Sequence, residues 1–164
     1  FVVERETDGR EPSVRCINFG LDGMQSFSFT LEEERSAVLV PAGQVGTYLY
    51  EPNASVLKAG AFKQIAVRTG VKKLQVNSHL YTSDHLVSDF PGRRFRVDEV
   101  LSFTGKLCKG LSKTIPQANI TVRNFPLSVE ELRKRTKITD GGHVYLFATT
   151  LVDGEKVLVK CSKA

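Results

Sequence analysis

At 164 residues, 41% of them hydrophobic, the chain is long enough for one compact core or two small ones and short for a two-domain enzyme. Its net charge of +5 hides an asymmetry: residues 1–90 carry 9 Lys/Arg against 11 Asp/Glu, whereas residues 91–164 carry 14 against 7. That asymmetry assigns any polyanion-facing surface to the second half, and no apolar run approaches the roughly 20 residues a helix needs to cross a bilayer, which argues against a membrane partner.

The chain opens on Phe1, with Glu4, Arg5, Glu6 and Asp8 close behind, so it shows neither the basic nor the apolar region of a secretory leader and reads as a piece of a longer chain. Cys16, Cys108 and Cys161 are widely spaced and form no C-x-x-C pair. They read as reduced thiols of a soluble, cytoplasmic protein, each a small buried hydrophobe.

Val14 to Phe19 and Gln25 to Leu31, joined through Gly20-Leu21-Asp22-Gly23, predict a hairpin with one buried face carrying Phe27, Phe29 and Leu31. Glu32 to Arg35 begins a short helix or loop, Pro41-Ala42-Gly43 breaks it, and Gly46 to Tyr50 is a strand. One helix is predicted from Asn53, its cap, through Val56, Leu57, Ala61, Phe62, Ile65 and Ala66 to Gly70, with Gly60 in its middle. Leu74 to Tyr81 follows as a strand, and Ser83 to Asp89 as a polar connector to the turn Phe90-Pro91-Gly92. The module boundary is placed there, giving residues 1–89 and 90–164.

In the second module Arg94 to Phe103 reads as a strand, and Leu107, Cys108, Leu111 and Ile115 mark an amphipathic helix ended by Pro116. Ala118 to Asn124 is a strand. Ser128-Val129-Glu130-Glu131 is a capping box flanked by Leu127 and Leu132 at the staple positions, and it starts a helix that Gly141-Gly142 ends. Val144 to Leu151 and Glu155 to Cys161 form a hairpin through Val152-Asp153-Gly154. The order is β-α-β-α-β-β after β-β-β-α-β: an α+β chain of two small modules, each a mixed or antiparallel sheet with helices on one face.

A methyltransferase, dehydrogenase or NTPase needs a glycine-rich strand-to-helix turn, so that backbone N–H groups can approach a cofactor or phosphate. Gly43-Gln44-Val45-Gly46 and Gly141-Gly142 both precede strands instead. Neither is assigned a cofactor. The nearest approach to a reactive cluster is His79, Tyr81, Asp84 and His85, with His79 and Tyr81 on one face of a strand; the spacing fits a structural cluster better than a metal or acid–base site. No catalytic, cofactor or metal residue is assigned, and the chain alone is not expected to be an enzyme.

Three stretches of the first half, Tyr48 to Phe62, Ser78 to Ser83 and Phe90 to Phe95, and two of the second, Val122 to Ser128 and Asp140 to Thr150, carry a family likeness. The chain resembles the C-terminal region of a family of Bacteroidetes-type S-adenosylmethionine-dependent methyltransferases, in which a class I catalytic domain is followed by a ferredoxin-like and then a THUMP-like domain. That resemblance implies an accessory, RNA-binding region that presents structured RNA, tRNA or rRNA, to a methyltransferase domain in cis. S-adenosylmethionine would then bind in the catalytic domain outside this chain. Candidate phosphate contacts are Arg93, Arg94 and Arg96 after the turn, Lys106, Lys109 and Lys113 on the first helix, Arg123 and Asn124 at a strand end, and Arg133, Lys134 and Lys137 on the second helix. Arg123 either grips phosphate or pairs with Glu130 or Glu131. The alternative is a docking module that packs on the catalytic domain with no nucleic-acid role. A single Lys/Arg stripe across both helices favours RNA; cations scattered over distant faces favour docking.

Overall fold

The computed structural model describes residues 11–20 and 23–164. The charged residues before Glu11 and the Leu21-Asp22 turn of the first hairpin lie outside the described residues.

Strands β1 (Ser13–Gly20) and β2 (Gly23–Thr30) pair as the expected antiparallel hairpin, with Val14, Cys16, Phe27 and Phe29 buried. Leu31 departs from the expected alternation. It is half exposed because Thr30 ends the strand and caps α1 (Leu31–Ser36) in a reciprocal capping box with Glu33. After β3 (Tyr48–Pro52), the single long helix expected from Asn53 to Gly70 is two short ones, α2 (Ala54–Ala59) and α3 (Gln64–Thr69). Gly60 is the reason: it sits at φ +76° as the left-handed cap of α2, where its lack of a Cβ is an advantage and not a mid-helix cost. The strand expected over Leu74 to Tyr81 is also corrected. Only Tyr81 of it lies in a strand: β4 (Lys72–Lys73), just before it, pairs with β5 (Tyr81–Ser83), and the residues between them fold into a turn in which the Leu74 N–H donates to the Leu80 carbonyl. His79 adopts φ +48° in that turn, so it shares no strand face with Tyr81.

The second half follows the expected order: β6 (Gly92–Ser102), α4 (Gly105–Thr114), β7 (Asn119–Val122), α5 (Val129–Thr136), β8 (Tyr145–Thr150) and β9 (Lys156–Lys163). Thr104 caps α4 through the Leu107 N–H, and the Ser128–Glu131 box starts α5. The end of α5 comes earlier than Gly141-Gly142. Lys137 takes the left-handed conformation at φ +64° and donates to the Arg133 carbonyl.

All seven strands from β3 to β9 form one sheet in the order β4-β5-β3-β6-β9-β8-β7, antiparallel except for the parallel β7–β8 pair. The seam between the two halves is the β3–β6 ladder, from Pro52↔Gly92 to Tyr48↔Arg96. Gly92 is required there by close approach: a Cβ would stand 2.2 Å from the Glu51 carbonyl oxygen.

Residue alternation assigns the faces. Tyr50 and Tyr81 point into a core with Val56, Ala61, Ile65 and the hairpin, while Leu146, Ala148 and Leu158 on the same side pack under Leu111, Ile115 and Leu132 of the α4–α5 layer. Each fully buried leucine of this kind is worth about 1.5–3 kcal/mol relative to exposure. The opposite face buries Leu49, Phe95, Phe147, Val159 and Cys161 beneath Ala42, Leu74 and Leu80 from the loops. Helices α2 to α5 therefore lie on one face, and loops close the other.

Candidate nucleic-acid interface

Helix α4 turns Leu107, Cys108 and Leu111 toward the core, so Lys106, Lys109 and Lys113 fall on the opposite, exposed side within an arc of about 60°. The helix contains no Asp or Glu. Packed beside it, α5 buries Leu132 and Thr136 and turns Lys134, Arg135 and Lys137 outward. Its two carboxylates, Glu130 and Glu131, occupy the first turn, where the helix dipole favours them, and its cations occupy the last. The Glu130 backbone N–H, and then Ser128, hold the Glu130 carboxyl below its ordinary range. Burial pushes the Cys108 thiol up, while the Arg135 charge acts against this. None of these six cations forms an ion pair with another described residue.

Of the other candidates, Arg93, Arg94, Arg123 and Arg133 are engaged internally, whereas Arg96 and Asn124 are exposed. Arg133, at the inner edge of α5, donates to the Ala118 and Ile138 carbonyls and pairs with Asp140, tying α5 to the loops around it. Arg94 donates to the Ser88 carbonyl and braces the turn before β6. Arg96 is exposed on β6, facing Tyr48 in the ladder. Asn124 is exposed at φ +51°, and its carbonyl accepts from Thr150 Oγ1 at 2.7 Å.

Arg123 pairs with neither Glu130 nor Glu131. Its Nη2 donates to Glu51 Oε1 at 2.7 Å, although β6, β9 and β8 separate β7 from β3 in the sheet. The twist of a β-sheet brings the ends of distant strands closer than a flat sheet would, and Arg123, just past β7, reaches across. Glu51 is 4% exposed, and its other oxygen takes Arg93 Nε at 3.0 Å, with the Arg93 guanidinium 5.4 Å from the centre of the Phe95 ring. One buried carboxylate thus holds two guanidiniums of the second half.

Two buried side-chain atoms among the described residues have no partner, His79 Nδ1 and Thr149 Oγ1. The His79 ring stacks on Phe62 at 4.0 Å, and burial, with the charges of Lys73 and Arg123 in support, holds its imidazole below the ordinary value. Lys73 is itself buried, donates to the Val76 carbonyl at 2.7 Å and lies 5.1 Å from the centre of the Phe62 ring. All three cysteines are buried and unpaired, and burial pushes the Cys161 thiol up to about 12. No described helix is long and apolar enough to cross a membrane.

Sequence reasoning missed two residues of this surface. Arg135 stands in the Arg133 to Lys137 run but is not among the candidate contacts, and Glu51 carries no sequence signal for its role. No local signal connects Glu51 to Arg123, 72 positions away.

Residues 48–91 match a family model described as a ferredoxin-like domain, and residues 92–163 match one described as THUMP domain-like. No curated protein matches the chain. The crystal structure of a "putative methyltransferase" from Porphyromonas gingivalis W83 is 48% identical and superimposes with a TM-score of 0.88 over 93% of this chain. The match spans 38% of that protein's length. From β3 onward, the chain is a ferredoxin-like domain followed by a THUMP-like domain, the two built on one sheet.

Proposed function

We propose that this chain is an accessory region that binds structured RNA and presents it to a methyltransferase domain in the same parent protein. S-adenosylmethionine would bind in that other domain. The observation that carries the reading is the α4–α5 surface: six outward Lys/Arg on two neighbouring helices, no carboxylate on α4, and no ion pair to a described residue. Such a surface suits phosphate oxygens on a helical backbone, and its binding is expected to be salt-sensitive with little sequence readout. The THUMP-like match over residues 92–163 and the methyltransferase description of the similar protein support the same reading.

The test is a titration of the chain with total tRNA, and with duplex DNA as control, at two salt concentrations. Wild type is compared with a variant carrying Lys109→Glu, Lys113→Glu and Lys134→Glu. Salt-sensitive binding that prefers RNA and collapses in the variant is expected. Binding indifferent to the reversal, or no binding, overturns the reading in favour of a docking module.

A further inference from the structure

Exposed apolar side chains are unevenly spread. Of the eleven large ones among the described residues, six (Ile17, Phe19, Met24, Leu31, Val38 and Val40) fall in residues 11–40, less than a fifth of the described chain. Single apolar residues at a surface are ordinary, whereas a cluster marks a place of contact. The cluster centres on the β1–β2 hairpin. Alternation along its ladder buries Val14, Cys16, Phe27 and Phe29 on one face and turns Ile17, Phe19 and Met24 outward on the other. Phe19 and Met24 are directly paired across the hairpin and are 81% and 58% exposed. Arg15 is the one charged residue on that outer face, so a polyanion finds little to bind there. Met24 also borders a groove of about 660 Å³ whose lining carries charges of both signs, Asp89, Arg94 and Lys163 among them, as the polar rim of a protein contact does.

The hairpin pairs with no strand of the larger sheet, yet it is fastened to the seam of the two domains. Gln25 Nε2 donates to the Gly92 carbonyl at 3.4 Å, and Gln25 Oε1 accepts from Asn53 Nδ2 at 2.9 Å. A hairpin held in this way presents its outer face with little further ordering cost. It lies before both matched domains, 48–91 and 92–163. The Porphyromonas gingivalis protein matches 93% of this chain, so it shares most of residues 11–40, and the match takes up 38% of that protein. In a parent of that kind the larger part of the polypeptide is available as a partner in cis, at an effective concentration in the millimolar range for a short link. We infer that the outer face of the β1–β2 hairpin docks on an apolar patch of the methyltransferase domain in the same parent chain, with Phe19 and Met24 at the centre of the contact. The inference rests on the proposed function for the presence of that domain and not for RNA binding. The hairpin covers the sheet face at β3 and β5, whereas α4 and α5 cover it at β8 and β9, so docking leaves the basic surface open to RNA.

The test places the photo-crosslinking residue p-benzoylphenylalanine at position 19 of the full-length parent and, as a control, at position 152, where Val152 is exposed between β8 and β9. Peptide mass spectrometry after irradiation is expected to find position 19 joined to the methyltransferase domain of the same chain, with a yield at least tenfold that at position 152. Should the probe at position 19 disturb the fold, as judged by circular dichroism, position 24 takes it instead. A yield no higher than the control, a link between two copies, or a link to RNA overturns the inference. A wild-type parent that binds no S-adenosylmethionine in calorimetry overturns the shared premise of a methyltransferase domain. Adding Lys109→Glu, Lys113→Glu and Lys134→Glu to the probe-bearing parent is expected to lose tRNA binding and keep the crosslink. No crosslink with tRNA binding intact strikes this inference alone; no tRNA binding with the crosslink intact strikes the RNA reading alone.

Discussion

Lys109 on α4 and Arg123 just beyond β7 carry the same charge and come from the same basic half, yet their surroundings are opposite. Lys109 stands in water on a helix without carboxylates. Arg123 is folded back onto a carboxylate that is 4% exposed and belongs to the other half of the sheet. Net charge therefore overstates the polyanion-facing surface. Arg93, Arg123 and Arg133 have their charge answered inside the protein, and the cations of α4 and the last turn of α5 do not. A carboxylate removed from water needs both charged partners and hydrogen bonds, which Glu51 obtains from two guanidiniums. An exposed lysine needs no partner, because water already solvates it.

The sharpest way to break this division is the triple reversal on α4 and α5. Removing three phosphate contacts is expected to lower RNA affinity by roughly two to three orders of magnitude at about 0.1 M salt, and to flatten the log–log salt slope by about three. Filter binding across a salt series reads both, and an unchanged slope would remove these lysines from the interface. Next comes Glu51→Ala, which leaves Arg93 and Arg123 without their carboxylate. Because their side chains are 54% and 39% exposed, the loss is expected to be about 2 kcal/mol, below the roughly 3–5 kcal/mol for a fully buried pair. Urea unfolding measures it. If this variant instead binds RNA more tightly at full stability, the inner arginines are phosphate ligands held in reserve, and the division fails.

Ser128→Ala removes the side-chain acceptor at the start of α5 and is expected to cost about 1 kcal/mol, seen as a shift in the urea midpoint, with the salt slope of RNA binding unchanged. The smallest effect concerns pH. His79 is held below its ordinary value in the folded chain, so as pH falls through about 6.5 the unfolded chain takes up the proton first. Stability from this site is complete above that pH and declines as pH drops further toward the folded value. In His79→Phe this part of the decline should disappear; a stability–pH curve identical to wild type would exclude His79 as its source.

Local chemistry was legible wherever one stretch of chain decides it. The Ser128–Glu131 box, the Leu107–Ile115 spacing and the Asp153-Gly154 turn gave α4, α5 and the β8–β9 hairpin, together with the outward side of α4 on which its lysines fall. Boundaries failed where a single backbone angle overrides a hydrophobic pattern. Gly60 at φ +76° splits a helix whose apolar spacing runs on through Ile65, and the turn with His79 at φ +48° replaces the middle of a strand rich in apolar residues.

The sequence by itself determined the element order of the second half, the excess of positive charge there and the likeness to a ferredoxin-like and THUMP-like pair, because each depends on neighbouring residues or on their sum. Tertiary structure alone decided that both halves share one sheet, that Glu51 takes Arg93 and Arg123, and that Gln25 fastens the first hairpin to Asn53 and Gly92. Those outcomes depend on how far the sheet coils and on which strands become neighbours. Both are set by the packing of the whole chain, and no window of sequence contains them.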